Sequence, residues 1–383
     1  MTLGGTAQPV PHPSVGATTG HPLVLVLSAS LGAGHDGAAQ ELARRLRSRG
    51  YRTAVVDYLA CLPFGLGALV RGVYRLQLRI APWAYEATFR VWYLGRPLRW
   101  LLLVTLAMLS GRRVRSLLRA PGLAGVVSTY PLPSMVVGRE RAAGRLDVPV
   151  TTFVTDFGVH PLWISDGVDL TLCVHESSAE EARLRTGRAV VATGPAVRPG
   201  FRPRTALRNQ LGLPAAAPVA LIVAGSWGVG DVESTFDAIG AAGPWFPVAV
   251  CGHNDLLRRR LEARGQGLVL GWTDRMPELM AASDVLVENA GGLSCMEAFA
   301  VGLPVITYRP LAGHGRRNAA RMRAAGVVRV ATGSSDLEAV LGAVLGPGGS
   351  EQAAAGLALF RSDPAAEIDA RIGPRVRPAR HAP

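Results

Sequence analysis

Residues 23–57 read LVLVLSASLGAGHDGAAQELARRLRSRGYRTAVVD, and this stretch decides the fold class. Leu23 to Leu27 is a short run of branched apolar residues, the pattern of a strand buried on both faces. The Gly-rich turn Ser30-Leu-Gly-Ala-Gly-His35 follows, and Asp36 to Arg49 then has amphipathic helical spacing closed by Gly50. Arg52 to Asp57 reads as a second strand. Strand, glycine loop, helix and strand in that order is the unit of a doubly wound parallel sheet. Further strands are expected at 123–128, 149–155, 169–174 and 188–193.

Downstream the pattern breaks and restarts. Thr193 to Arg204 (TGPAVRPGFRPR) has three prolines, two glycines and no periodicity, so a linker is placed at 196–208. A strand at 218–224 then runs into a second glycine turn, Gly225-Ser-Trp-Gly228-Val-Gly230, with more strands at 246–251, 267–271, 284–288 and 304–307. The reading is an α/β protein of two Rossmann-like doubly wound domains, 21–195 and 209–365, facing a central cleft. Ligands of such sheets bind beyond the carboxyl ends of the strands, where both glycine turns lie. Residues 1–20 are expected to form a disordered leader and 366–383 a basic, solvated tail.

Composition removes several kinds of chemistry. The chain has 383 residues and a formal charge of +13, yet contains no lysine. A P-loop lysine, a Schiff-base lysine and a lysine general base are therefore excluded. The fixed cations are arginines, whose forked guanidinium suits phosphate and carboxylate. Cys61, Cys173, Cys251 and Cys295 are far apart and form no CxxC pair, which suits a reducing cytoplasm and argues against a disulfide framework or a zinc site.

Residues 61–120 depart from the α/β rhythm, with ten arginines against one acid, Glu86. Leu66, Leu69, Val73, Leu76 and Ile80 recur at helical spacing, and Arg71, Arg75 and Arg79 form a second stripe. An apolar face flanked by arginine suits a helix lying on an anionic membrane surface; the other reading of the stretch is core-packing helices with a solvated basic side. Trp100 to Leu109 is almost wholly apolar, but ten helical residues rise only about 15 Å against a hydrocarbon core of roughly 30 Å. That run is too short to span; it dips into one leaflet or packs as a buried helix. No nucleic-acid module is visible, and no nucleic-acid partner is expected.

Three motifs carry candidate chemistry. Gly34 and His35 stand at the mouth of the first strand, where an imidazole near neutrality can take a proton from an attacking hydroxyl. Thr155-Asp-Phe-Gly-Val-His-Pro-Leu-Trp163 sets Asp156, His160 and Trp163 beside the same cleft, the pair to orient an acceptor and the indole to stack on a sugar or lipid headgroup. Glu288-Asn-Ala-Gly-Gly-Leu-Ser-Cys-Met-Glu297 is a strand, a glycine pair and a helix start. There Gly291 and Gly292 can present amides to a diphosphate, and Glu297 can hold both ribose hydroxyls. No Asp-x-Asp motif occurs, so no metal site is expected for the diphosphate and no cofactor beyond a UDP-sugar co-substrate. Arg198, Arg316 or Arg317 can assist.

From the Gly-Ala-Gly-His35 loop through Thr155-Asp156, His160-Pro161, Trp163, Gly194–Phe201, Gly225–Gly230, Gly291-Gly292…Glu297 and Ala312-Gly313…Asn318, the chain resembles the monogalactosyl- and glucosyl-diacylglycerol synthases. Their donor domain is shared with the lipid II-forming transferase of peptidoglycan assembly. The resemblance implies a GT-B fold and inverting, metal-independent transfer from a UDP-sugar to a lipid acceptor such as diacylglycerol. It implies that His35 activates the acceptor and Glu297 holds the ribose, with Gly225, Ser226, Gly228, His314 and Asn318 at the donor. The expected setting is peripheral, at the inner face of the cell membrane. After Ala312-Gly313 that family usually has Gln-Glu at the donor sugar, whereas this chain has His314-Gly315. Other readings share the same residues: a transferase acting on a soluble or cell-wall acceptor, a non-catalytic nucleotide-sugar-binding protein at a membrane, and, with less support, a sugar epimerase.

Overall fold

In a computed structural model, the structure describes residues 20–80, 83–87, 90, 95–203 and 208–376. The expected leader (1–20) thus falls, but for Gly20, outside the described residues. Among the described residues, twelve strands form two parallel six-stranded sheets. The first holds β1 (Leu23–Ser28), β2 (Arg52–Asp57), β3 (Leu123–Ser128), β4 (Val150–Val154), β5 (Leu170–Cys173) and β6 (Ala189–Ala192), in the order β2-β1-β3-β4-β5-β6. The second holds β7 (Val219–Val223), β8 (Phe246–Val250), β9 (Leu268–Leu270), β10 (Val285–Glu288), β11 (Val305–Tyr308) and β12 (Arg329–Ala331), in the order β12-β11-β10-β7-β8-β9.

Strand order fixes where a site can form. β1 lies between β2 and β3, and β7 lies between β8 and β10, so each is the point at which the winding direction reverses. A crevice opens at that point, beyond the carboxyl ends of the strands. Both glycine turns lie there, because they follow β1 and β7 directly. The inner strands β1, β3, β4, β5, β7, β8, β10 and β11 are buried almost throughout, which explains their mostly apolar composition, whereas β2, β6, β9 and β12 at the sheet edges are partly exposed.

Three features depart from the sequence reading. β12, only three residues long, was not foreseen; Arg-Val-Ala carries too little pattern to stand out. The first helix begins at Ala33 rather than Asp36, so His35 is inside its first turn. Residues 364–376, placed in part in a solvated tail, form a helix that returns to the first domain. Tyr51 donates its hydroxyl hydrogen to Asp369 at 2.6 Å, and Arg45 and Arg49 pair with Asp363 at 3.1 and 2.9 Å. Ile372, 2% exposed, packs where Gly125 leaves room; a Cβ on that glycine would stand 2.4 Å from the Ile372 side chain. Truncating such a buried isoleucine costs about 2–5 kcal/mol.

All four cysteines are buried thiols. Among the described residues, no helix is long and apolar enough to cross a membrane. The apolar run at 100–109 belongs to a 23-residue helix, Arg96–Leu118. One side of that helix is packed, with Leu106 buried and the Ser110 hydroxyl 3.0 Å from that of Tyr58. Its other side exposes Trp100, Leu101 and Met108.

Candidate active site

The cleft between the domains encloses a cavity of about 920 Å³. Gly34 and His35 line it from the first domain, and Gly292, Leu293 and Ser294 from the second. They come from helices Ala33–Ser48 and Leu293–Val301, whose N-terminal ends meet: a Cβ on Gly34 would touch the Leu293 side chain at 3.6 Å. On Gly37, one turn later, it would stand 2.5 Å from Leu293 Cδ2. First-turn N–H groups have no acceptor within their own helix, so this junction concentrates partial positive charge.

His35 is oriented by the strand ends around it. Its Nδ1 lies 2.9 Å from the Thr129 carbonyl oxygen and 3.0 Å from the Thr155 hydroxyl. A carbonyl only accepts, so Nδ1 carries the proton and Nε2 is left as the basic nitrogen. Tyr130 stands edge-on to the ring, with centroids 4.7 Å apart. His160 also lines the cavity, but burial pushes its pKa down to about 4, outweighing the attraction of Asp156, and the ring is neutral near pH 7.

Asp156 lines the cavity with both carboxylate oxygens engaged. The Trp163 indole N–H donates to Oδ2 at 3.3 Å and the Asn318 amide to Oδ1 at 3.1 Å. Trp163 was expected to stack on a sugar or headgroup. It is instead fully buried behind His35, since its indole fills the core beside Val154 and Cys173. Asn318 was expected at the donor. It is instead 1% exposed and bridges the domains, accepting from the Gly158 N–H at 3.0 Å while donating to Asp156. Glu181 adds to the same junction through Arg317 and Arg321.

On the second domain, Glu297 lines the cavity while 7% exposed, with Arg198 at 3.6 Å. Burial raises its pKa to about 7 despite that arginine. The Gly291 N–H, expected on a diphosphate, is taken by the Glu288 carboxylate at 2.6 Å, because the turn needs that carboxylate to satisfy its own amides. Gly292 keeps its place in the wall, as do Gly225 and Ser226. Gly228 has a packing role: its carbonyl accepts from Asn254, and a Cβ there would lie 2.6 Å from the Asn254 side chain.

In helix Leu66–Ile80 most of the apolar stripe is exposed, as a membrane-facing helix requires, but Arg71 and Arg75 are not left free. Arg71 pairs with Asp57 at 2.9 Å, and Arg75 lies 6.0 Å from the Trp227 ring of the second domain. Arg79's side chain lies outside what the structure describes. Arg71 and Arg75 thus engage protein groups, while Leu69, Val73 and Leu76 are exposed, the first two also lining the cavity. Phe64, at 97% exposure, and Trp83 are exposed as well, before and after that helix in the chain.

Sequence reasoning missed Trp272, Tyr74 and Tyr85, all of which line the cavity. Trp272 stacks flat on His253, centroids 4.6 Å apart and planes 8° apart, and remains half exposed. A tryptophan just past the expected strand at 267–271 was the available signal. Tyr74 and Tyr85 gave none, because their partners are remote in sequence.

Residues 35–197 match the family model described as monogalactosyldiacylglycerol (MGDG) synthase. A processive diacylglycerol beta-glucosyltransferase of Bacillus thuringiensis (strain Al Hakam) is 26% identical over 352 residues, covering 85% of this chain and 86% of that one. Os79 from O. sativa, solved in complex with UDP, superposes with a TM-score of 0.59 at 16% identity over 92% of this chain and all of that one. MurG of Acinetobacter baumannii superposes with a TM-score of 0.57 at 13% identity over 92% and 99%. With two doubly wound domains around one cleft, the chain is a glycosyltransferase of the GT-B fold that resembles the monogalactosyldiacylglycerol synthase family.

Proposed function

We propose that this protein transfers a hexose from a UDP-sugar to a diacylglycerol-like lipid at the cytoplasmic surface of a membrane, with inversion and without a metal ion. The observation that carries the reading is the meeting of two helix N-termini at Gly34 and Leu293 in the cavity wall, with His35 lining the cavity from the first turn of one of them. In this reaction His35 Nε2 accepts the proton of the lipid hydroxyl while its oxygen bonds to the anomeric carbon. The bond from that carbon to the diphosphate oxygen breaks, and UDP leaves with the electron pair. The first-turn amides of Leu293–Val301 stabilise its charge. Glu297 holds the ribose, and Trp272 offers a ring face to the base. Attack opposite the leaving group inverts the anomeric centre.

Lipid is favoured as acceptor by the exposed apolar surface of Phe64, Leu69, Val73, Leu76 and Trp83. Helix Leu66–Ile80 carries part of that surface outward and lends Tyr74 to the cavity, so a headgroup at the membrane is close to His35. The relatives named for diacylglycerol agree with this choice.

The test uses purified protein, anionic vesicles containing diacylglycerol, and a panel of UDP-sugars. Lipid-dependent UDP release with formation of a glycosyl-diacylglycerol is expected, lost in His35→Ala and Glu297→Ala. UDP binding with no turnover of any sugar on vesicles would overturn the reading and favour a soluble acceptor or a binding role.

A further inference from the structure

The segment after helix Leu66–Ile80 follows an element of the first domain, yet its Tyr85 and Glu86 bond to the second. The Tyr85 hydroxyl lies 2.8 Å from His314 Nδ1, and the rings meet edge to face at 5.6 Å. Next to it, Glu86 accepts from the Gly313 N–H at 2.5 Å and stands 3.7 Å from Arg316. Gly313 caps the N-terminus of helix His314–Ala324, so the Glu86 carboxylate occupies the position an anion would take there. The donor diphosphate is thereby left to the other N-terminus, at Gly292–Ser294.

What faces the cavity from His314–Ala324 is then an uncharged wall. Burial lowers the His314 pKa and raises that of Tyr85 well above its usual value, so both are neutral near pH 7. With Nδ1 engaged by Tyr85, Nε2 is the ring nitrogen available to a ligand. A neutral imidazole suits a sugar hydroxyl, which both donates and accepts, better than a diphosphate, which favours a cation. Tyr74 stands edge-on to Tyr85 at 5.4 Å and to Trp227 at 5.9 Å, which fixes the Tyr85 ring against the glycine turn after β7.

We propose that Tyr85 completes the donor-sugar pocket from the acceptor domain by holding His314 against the hexose, so that the pair discriminates between sugars differing at one hydroxyl. The inference rests on the UDP-sugar reading above and names the residues that select its sugar. Tyr85 is a positioning residue and His314 the group that touches the hexose.

The experiment compares wild type, Tyr85→Phe, His314→Ala and the double variant on vesicles with UDP-glucose and UDP-galactose, alongside calorimetric UDP binding and thermal melting. Tyr85→Phe is expected to change the ratio of kcat/KM for the two sugars about 3- to 10-fold, the worth of one hydrogen bond, with UDP affinity within about twofold of wild type. His314→Ala should shift the ratio in the same direction, and the double variant no further. An unchanged ratio in a folded, UDP-binding Tyr85→Phe protein overturns the proposal, as does a loss of UDP binding in that variant. If wild type turns over neither sugar nor any other UDP-sugar, the donor reading fails first and this inference with it.

Discussion

His35 Nδ1 lies 2.9 Å from the carbonyl oxygen of Thr129, a residue ninety-four positions away at the end of β3. That bond puts the proton on Nδ1 and the basic lone pair on Nε2, and it ties the ring to the two strands at the switch point of the first sheet. His35→Ala is expected to lower kcat about 10²–10⁴-fold, the usual contribution of a general base, with UDP affinity within about twofold of wild type. Thr155→Val, which removes the other contact to Nδ1, should cost less, about 3- to 10-fold in kcat. Steady-state kinetics with calorimetric UDP titration separates the two effects. A His35→Ala enzyme with wild-type kcat would exclude the assigned role.

Glu297 gives a pH signature. Its folded pKa, about 7, lies above the ordinary carboxylate value. Between roughly pH 4.5 and 7 the folded state therefore binds more protons at this site than the unfolded state, so its contribution to stability falls as pH rises through that window. Ribose hydroxyls donate to the ionised form, so UDP affinity should rise through pH 7 and level off above it. Glu297→Gln should flatten both trends, raise the melting temperature above pH 7, and weaken UDP binding about tenfold at pH 8. Melting curves and UDP titrations at pH 5, 6, 7 and 8 test this; equal pH trends in variant and wild type would refute it.

Trp272 presents its ring to the cavity while stacked on His253. Base–aromatic stacking is worth about 1–3 kcal/mol. Trp272→Ala should therefore weaken UDP binding about 10-fold or more and leave kcat at saturating donor within about threefold. Calorimetry decides, and unchanged UDP affinity would place the base elsewhere.

Asn318 serves the domain junction. Its removal leaves the buried Gly158 N–H without that acceptor, which costs about 1–3 kcal/mol. Asn318→Ala should lower the melting temperature by several degrees and increase the radius of gyration seen by small-angle scattering. UDP affinity should stay within about twofold. A selective loss of UDP binding at unchanged stability would restore the donor role expected from sequence.

Membrane attachment should follow the apolar face of helix Leu66–Ile80 rather than its arginines. Leu69, Val73 and Leu76 are 60%, 46% and 55% exposed, whereas Arg71 and Arg75 are committed to Asp57 and Trp227. Replacing the three apolar residues with serine should weaken partition onto anionic vesicles about 100-fold, at roughly 1 kcal/mol per inserted side chain. Arg71→Gln should change it less than threefold. Vesicle co-sedimentation measures both, and the opposite ranking would show a charge-driven interface.

The sequence by itself determined the two α/β units, the carboxyl-end glycine turns, and His35 and Glu297 as facing candidates. Each is encoded locally: apolar runs of strand length, glycines where the chain must turn, and a polar residue at the start of a helix. Tertiary structure alone decided which of those residues reach the cavity. Trp163 and Asn318 sit in motifs that look functional, but packing turns one into the core and the other into a domain clasp. The Gly291 amide satisfies Glu288, three residues before it, a choice that the sequence pattern does not encode. Arg71 and Arg75 engage protein because Asp57 and Trp227 lie within their reach, and Tyr85 reaches His314 across 229 positions. Local pattern fixes periodicity and turn chemistry, whereas the identity of a partner in contact depends on how the two sheets are brought together.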